Sequence, residues 1–142
     1  MNFLEATKTV VGTSAAGTAG TATLTLDTLG FSYASIDVVV DKSSTASHTA
    51  ASVLNSLSLL QGDTTAATAA VYTVSVPAAS VAVTSGASVV RLDVDLRGKS
   101  RYLKVDAQAV GSLATNIVAR LGRAEIGPDT AAEAGALSKF SG

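Results

Sequence analysis

The sequence predicts an all-β protein, and three observations carry that prediction. Apolar and polar residues alternate through most of the chain, which is the period of a half-buried strand. Glycine, proline and polar turn residues interrupt the alternation at short intervals, so the strands are short. No stretch holds a helical period long enough for an α/β fold. Seven or eight short strands divided by turns describe a β-sandwich or a small barrel.

Taken in order, the elements are these. Thr9 to Gly20 is rich in glycine, threonine and alanine and reads as an arm or irregular entry segment. Thr21 to Leu26 alternates threonine with alanine and leucine. Ser35 to Val40 sets Ile36, Val38 and Val40 on one face and Asp37 on the other. Val53 to Leu60 puts Leu57 and Leu59 on one face. Val71 to Val76 is strand-like and is stopped by Pro77, which cannot donate to a ladder. Ser80 to Val83 is a short candidate for an edge.

The sharpest alternation runs from Val90 to Arg97. Val90, Leu92, Val94 and Leu96 face one way, and Arg91, Asp93, Asp95 and Arg97 face the other. Ser100 to Asp106 follows after Gly98-Lys99. A two-residue type II′ turn at Gly98-Lys99 would make the two strands a hairpin. That register opposes Val94 to Leu103 and Leu92 to Val105 on the buried face. It opposes Asp93 to Lys104 and Arg91 to Asp106 on the other, a double charge match. A last strand, Asn116 to Leu121, turns Ile117, Ala119 and Leu121 to the core. From Gly127 onward a Gly-Pro-Asp start leads into an alanine-rich tail, expected as a short helix or an extended arm.

Composition limits the function classes. The chain has 142 residues, no cysteine, one histidine and a net charge of -1. Counting along it gives 26 Ala, 17 Ser, 17 Thr and 12 Gly, about half of all residues. Charged residues are 15 %, against about 25 % in an ordinary soluble domain. This excludes a disulfide scaffold and a highly charged disordered tail. Near-neutral charge argues against a polyanion-binding domain. The core is expected mainly from 17 valines with leucine and isoleucine, and small side chains make it thin. The longest uncharged stretch, Thr64 to Val90, is broken by Thr, Ser, Pro77 and Gly86 and does not read as a membrane helix.

Chemistry-bearing motifs are sparse. His48 sits in a Ser/Thr-rich segment that reads as a solvated loop, and no nucleophile-elbow motif surrounds any serine. One histidine and no cysteine leave out the usual zinc sets. Asp93-Val94-Asp95 lies inside a strand rather than in a calcium loop. The glycines from Gly12 to Gly20 lack the Lys-Ser/Thr ending of a phosphate loop. No enzyme, cofactor, metal, nucleic-acid, membrane or small-molecule role is therefore expected.

Charge placement is informative instead. Seven charged residues lie in positions 1–90, and eight lie between Arg91 and Asp106. Arg97, Lys99, Arg101 and Tyr102 cluster at the expected hairpin tip, with Arg120 and Arg123 as possible neighbours. Because acidic residues stand beside them, a protein–protein salt-bridge surface is the expected use. The candidate interface residues are Arg91, Asp93, Asp95, Arg97, Lys99, Arg101, Lys104, Arg120 and Arg123.

Three segments resemble small virion proteins of tailed bacteriophages. They are Leu26-Asp27-Thr28-Leu29-Gly30-Phe31-Ser32-Tyr33-Ala34-Ser35-Ile36-Asp37-Val38-Val39-Val40, Val89 through Val105, and the ending Arg120-Leu121-Gly122-Arg123-Ala124-Glu125 with Pro128 beyond. The resemblance covers about residues 24–41 and 88–128. It implies a head decoration, or cement, protein: β-rich, a homotrimer, bound to the major capsid protein on the outer surface of the shell. With that resemblance the expected architecture is a jelly-roll-like β-sandwich at 21–126. An N-terminal arm at 1–20 and a C-terminal tail or short helix at 127–142 flank it. A coat or tail subunit is the nearest alternative, though a coat subunit should be longer and carry a spine helix. A carbohydrate-binding sandwich is another, disfavoured by having only Tyr33, Tyr72 and Tyr102 and no tryptophan for sugar stacking.

Overall fold

The alternating segments become strands that pair with distant partners rather than with their neighbours. The computed structural model describes residues 7–13, 21–41, 54–73, 87–110 and 113–122. Among these, the strands are β1 (Lys8–Thr13), β2 (Thr21–Asp27), β3 (Tyr33–Asp41) and β4 (Leu54–Gly62), then β5 (Ala69–Thr73), β6 (Ala87–Asp95), β7 (Tyr102–Ala109) and β8 (Ala114–Gly122). They form two four-stranded antiparallel sheets. Sheet A has the order β1-β8-β3-β6 and sheet B the order β2-β7-β4-β5.

The pairing follows one rule. β1 pairs β8, β2 pairs β7, β3 pairs β6 and β4 pairs β5. A chain paired from both ends towards its middle, then divided between two packed sheets, is a jelly roll. The β-sandwich is thus the architecture found, and the barrel is not.

The core lies between the sheets and follows the alternation. Sheet A contributes Ala34, Ile36, Val38 and Val40 from β3, with Ile117, Ala119 and Leu121 from β8. Sheet B contributes Ala22, Leu24 and Leu26, then Leu57 and Leu59, then Leu103, Val105, Ala107 and Ala109. The inward faces expected for β2, β3, β4 and β8 are those observed. Leucine, and after it alanine, fills more of this core than valine does, so the core is not mainly the valines that the composition implies. Gly12 lies where the two layers meet at the edge. A Cβ there would lie 3.0 Å from the Thr23 carbonyl oxygen and 3.1 Å from Leu24 Cβ, so glycine lets β1 of sheet A close against β2 of sheet B.

The expected hairpin is not formed. β6 belongs to sheet A and pairs β3, while β7 belongs to sheet B and lies between β2 and β4. Val94 opposes Ala34, Leu92 opposes Ile36, Asp93 opposes Ser35 and Arg91 opposes Asp37. The reason is in the turn. The Lys99 N–H donates to the Leu96 carbonyl at 3.0 Å, so Arg97 and Gly98 are the central residues, one position earlier than a Gly98-Lys99 turn. Gly98, with φ +75°, is then the second central residue, as in a type II turn. Type II turns splay the strands they join, whereas type II′ turns keep them paired. The chain therefore crosses from one sheet to the other at Gly98.

A second departure is at the start. Lys8–Thr13, inside the stretch expected as an arm, is strand β1 and pairs β8 from Lys8 opposite Leu121 to Thr13 opposite Asn116. Val74 to Val76 with Pro77, the Ser80–Val83 candidate, His48, Arg123 and the tail at 127–142 lie outside the described residues.

Candidate protein interface

The candidate residues occupy three places on the sandwich, not one hairpin. The first is the outer face of sheet A. Ile36 and Val38 point inward, so Asp37 between them points outward. Arg91 stands opposite it on β6. Arg91 Nε donates to Asp37 Oδ1 at 2.7 Å and Nη2 donates to Oδ2 at 3.2 Å. Arg120 on β8 adds Nη1 to Oδ2 at 3.2 Å. The Asp37 side chain is only 11 % exposed beneath these two arginines, which are 60 % and 56 % exposed. The hydrogen bonds from Arg91 hold the Asp37 carboxyl below its ordinary value, outweighing the upward push of burial. Two guanidiniums thus share one carboxylate, and Asp93, two residues from Arg91 on the same face, adds a second acidic charge beside them.

The second place is the rim where β2 crosses to β3 and β6 crosses to β7. Both crossings use one device, Asp-x-x-Gly-x-Ser, at Asp27–Ser32 and Asp95–Ser100. In each the aspartate accepts from the backbone N–H two residues on: Leu29 to Asp27 at 3.2 Å, and Arg97 to Asp95 at 3.0 Å. In each the glycine takes a positive φ, +85° at Gly30 and +75° at Gly98. Each aspartate also holds an arginine. Arg101 donates to both Asp27 oxygens at 3.0 and 2.7 Å, and Arg97 grips Asp95 in the same two-pronged way. These bonds lower the Asp27 carboxyl, and they lower the Asp95 carboxyl to about 2. The corners are also tied together. The Thr28 N–H and hydroxyl both donate to the Arg101 carbonyl, at 2.9 and 2.6 Å, and the Leu96 N–H donates to the Ser32 carbonyl at 3.1 Å. Arg101 lies 5.0 Å from the Tyr102 ring centre, a cation–π contact. Lys99 is exposed at the turn, and Leu29 at the other corner is 67 % exposed.

Between the rim and the clamp, a depression of about 730 Å³ is lined by Thr9, Tyr33, Ser35, Asp95, Arg97 and Arg120, among others. It joins the first two places into one continuous surface. The third place is separate. Lys104 lies on the outer face of sheet B, where its Nζ is 3.2 Å from Asp106 on the same strand. Lys104 therefore does not oppose Asp93, and Arg91 does not oppose Asp106.

Arg91, Asp93, Asp95, Arg97 and Arg120 thus share the face of sheet A and its rim, joined at the rim by Lys99 and Arg101. Asp37 and Asp27, the carboxylates that organise both groups, were not among the candidates. The signal for Asp37 was present as the outward residue of an apolar strand. The signal for Asp27 was the repeated Asp-x-x-Gly-x-Ser, which is too short to stand out as an internal repeat. Among the described residues no three His, Cys, Asp or Glu side chains gather as metal ligands. Comparison of the chain with family models, with curated proteins and with solved structures finds no match.

Proposed function

We propose that the protein is a virion structural subunit, a decoration protein that binds the outer surface of a phage capsid as a homotrimer and stabilises the shell. One observation carries the reading. The segments that resemble phage virion proteins, near residues 24–41 and 88–128, are distant in sequence yet supply β2, β3, β6, β7 and β8. β3 pairs β6, and β2 pairs β7, along their lengths. The resemblance therefore falls on one connected part of the sandwich, including both Asp-x-x-Gly-x-Ser corners and the Asp37 clamp. A low-charge Ala, Ser and Thr composition suits close packing among copies and against a shell. Charge complementarity at such contacts sets orientation more than affinity.

Cryo-electron microscopy of capsids incubated with the protein is the direct test. Density for the sandwich on the capsid exterior at three-fold related positions is expected. Capsids that carry no such density, with the protein recovered unbound, would sink the proposal. Light scattering of the purified protein supplies the second arm, with a trimer expected.

A further inference from the structure

Among the described residues, no strand pairs the outer side of β6, one of the two edges of sheet A. β6 is nine residues long, contains no proline, and pairs β3 without a register shift. Proteins ordinarily blunt such an edge by shortening it, bulging it, or placing proline or charge in it, and of these β6 has its outward Arg91, Asp93 and Asp95 alone. Of the other edge strands among the described residues, β2 is seven residues and as regular, β1 is six and β5 is five, and β5 pairs across an irregularity at Leu59/Leu60, so β6 is the longest edge. The inward side chains of β6 are also incompletely covered. Val90 and Leu92 are only half-buried, whereas their β3 partners Val38 and Ile36 are fully buried. On the outward side Val89 is 57 % exposed. Asp93 makes no ion pair among the described residues, and Arg91 Nη1 is left over from the Asp37 clamp.

We propose that β6 pairs antiparallel with β6 of a second copy, about a two-fold axis through Leu92, joining two A sheets into one. The register follows from charge. A two-fold antiparallel pairing must keep outward residues opposite outward residues. Centring the axis on Arg91 sets two arginines against each other, and centring it on Asp93 sets two aspartates against each other. Centring it on Leu92 opposes Arg91 of each copy to Asp93 of the other, twice, and like charges meet nowhere along β6. The same register brings Leu92 against Leu92 and Val90 against Val94 on the inner side. Of these, Val90 and Leu92 are the apolar residues that the edge leaves partly uncovered, and Val94 is already buried. The contact goes beyond shell binding and is made in solution, so it stands or falls separately from the decoration reading. In a protein that trimerises through another surface, it links trimers in pairs where the two-fold axes cross the three-fold axis at right angles.

The test uses the full chain, which has no cysteine of its own. Sedimentation over a wide concentration range should show reversible doubling of the basic oligomer. Asp93→Arg, at an exposed position facing Ser35, places arginine against Arg91 on both sides of the axis and should weaken the doubling about tenfold or more. Asp93→Asn should weaken it less. Far-ultraviolet circular dichroism confirms that each variant is folded. Separately, Val89→Cys mixed with Asp95→Cys should give a disulfide-linked pair under mild oxidation, while neither alone does so. Directly opposed strand residues have Cα atoms about 4.5–5.5 Å apart, within disulfide reach. An oligomer that does not double at any concentration overturns the proposal. So does doubling that is indifferent to Asp93→Arg, or cross-linking by either cysteine variant alone to the same extent as the mixture.

Discussion

The outer faces of the two sheets are built from different chemistry. On sheet A, Asp37 lies beneath Arg91 and Arg120, which reach it from the strands on either side. Val39 and the exposed Val89 stand opposite each other beside that cluster. On sheet B, Thr21, Thr23 and Thr25 oppose Gln108, Asp106 and Lys104, with Ser56 and Ser58 beyond. Away from the rim, the Lys104–Asp106 ion pair lies along a single strand, and the Thr23 hydroxyl donates to Asp106 at 2.8 Å. Sheet A therefore uses charge to tie three strands together. Sheet B offers hydroxyls that water can satisfy at little cost. A face whose charges bridge strands and whose valines stay exposed is suited to contact. A face of hydroxyls is suited to solvent.

The largest expected effect tests that contrast directly. Asp37→Ala leaves two guanidiniums without their shared carboxylate and should cost about 2 kcal/mol, since hydrogen bonds to charged groups are worth roughly 1.5–3. Asp106→Ala on sheet B should cost about 0.5 kcal/mol, because its ion pair is a single one to a neighbour on the same strand. Urea unfolding of both variants measures the difference, and equal losses would break the comparison.

Acid should report the same asymmetry. Asp27, Asp37 and Asp95 all have carboxyls lowered from the ordinary 3.8 by arginine. A carboxyl lowered in the folded state stabilises fully above its unfolded value, and that contribution is lost as pH falls through the folded value. The urea midpoint should thus hold down to about pH 4 and then fall, with the Asp95 share lost towards about pH 2. Asp37→Asn should make the fall shallower.

The rim that joins the two faces should respond alike at its two corners. Gly30→Ala and Gly98→Ala each force a side chain into positive φ where a Cβ would touch nothing within 4 Å. Each should cost about 1 kcal/mol by backbone strain alone. A corner that loses much more than its twin carries packing that the other lacks. The smallest effect should be a gain. Ser88 points inward from β6, and its hydroxyl oxygen is buried with no hydrogen-bond partner among the described residues. Ser88→Ala removes that unmet group and should raise stability by up to about 1 kcal/mol.

The alternation of side chains was legible, and the pairing of strands was not. Ile36, Val38 and Val40, or Ile117, Ala119 and Leu121, declare their buried face because burial acts residue by residue along a strand. Partner choice is different, because several partners satisfy the same pattern. Arg91 finds an acid equally well in Asp106 across a local turn or in Asp37 across the sheet. Turn geometry decided between them, and one glycine can sit at either central position of a turn. The short β1 reads as an arm in sequence because Gly12, which lets it close on β2, is also what arms are made of. The site was legible as a set of charged residues. Its division among two faces and a rim was not, since β6 and β7 go to different sheets.

The order of pairing has a consequence for how the chain is made. Among the six ladders of the described residues, only β4 with β5 joins neighbours in sequence. Sheet A cannot seat β1, or cover the second side of β3, until Ala114–Gly122 exists. During synthesis, then, Val10, Ile36 and Val38 wait exposed until nearly all of the described chain has emerged. Folds of such long-range pairing are slow to form and open to aggregation while they wait. A low density of large apolar side chains, with alanine and threonine in their place, lessens that hazard.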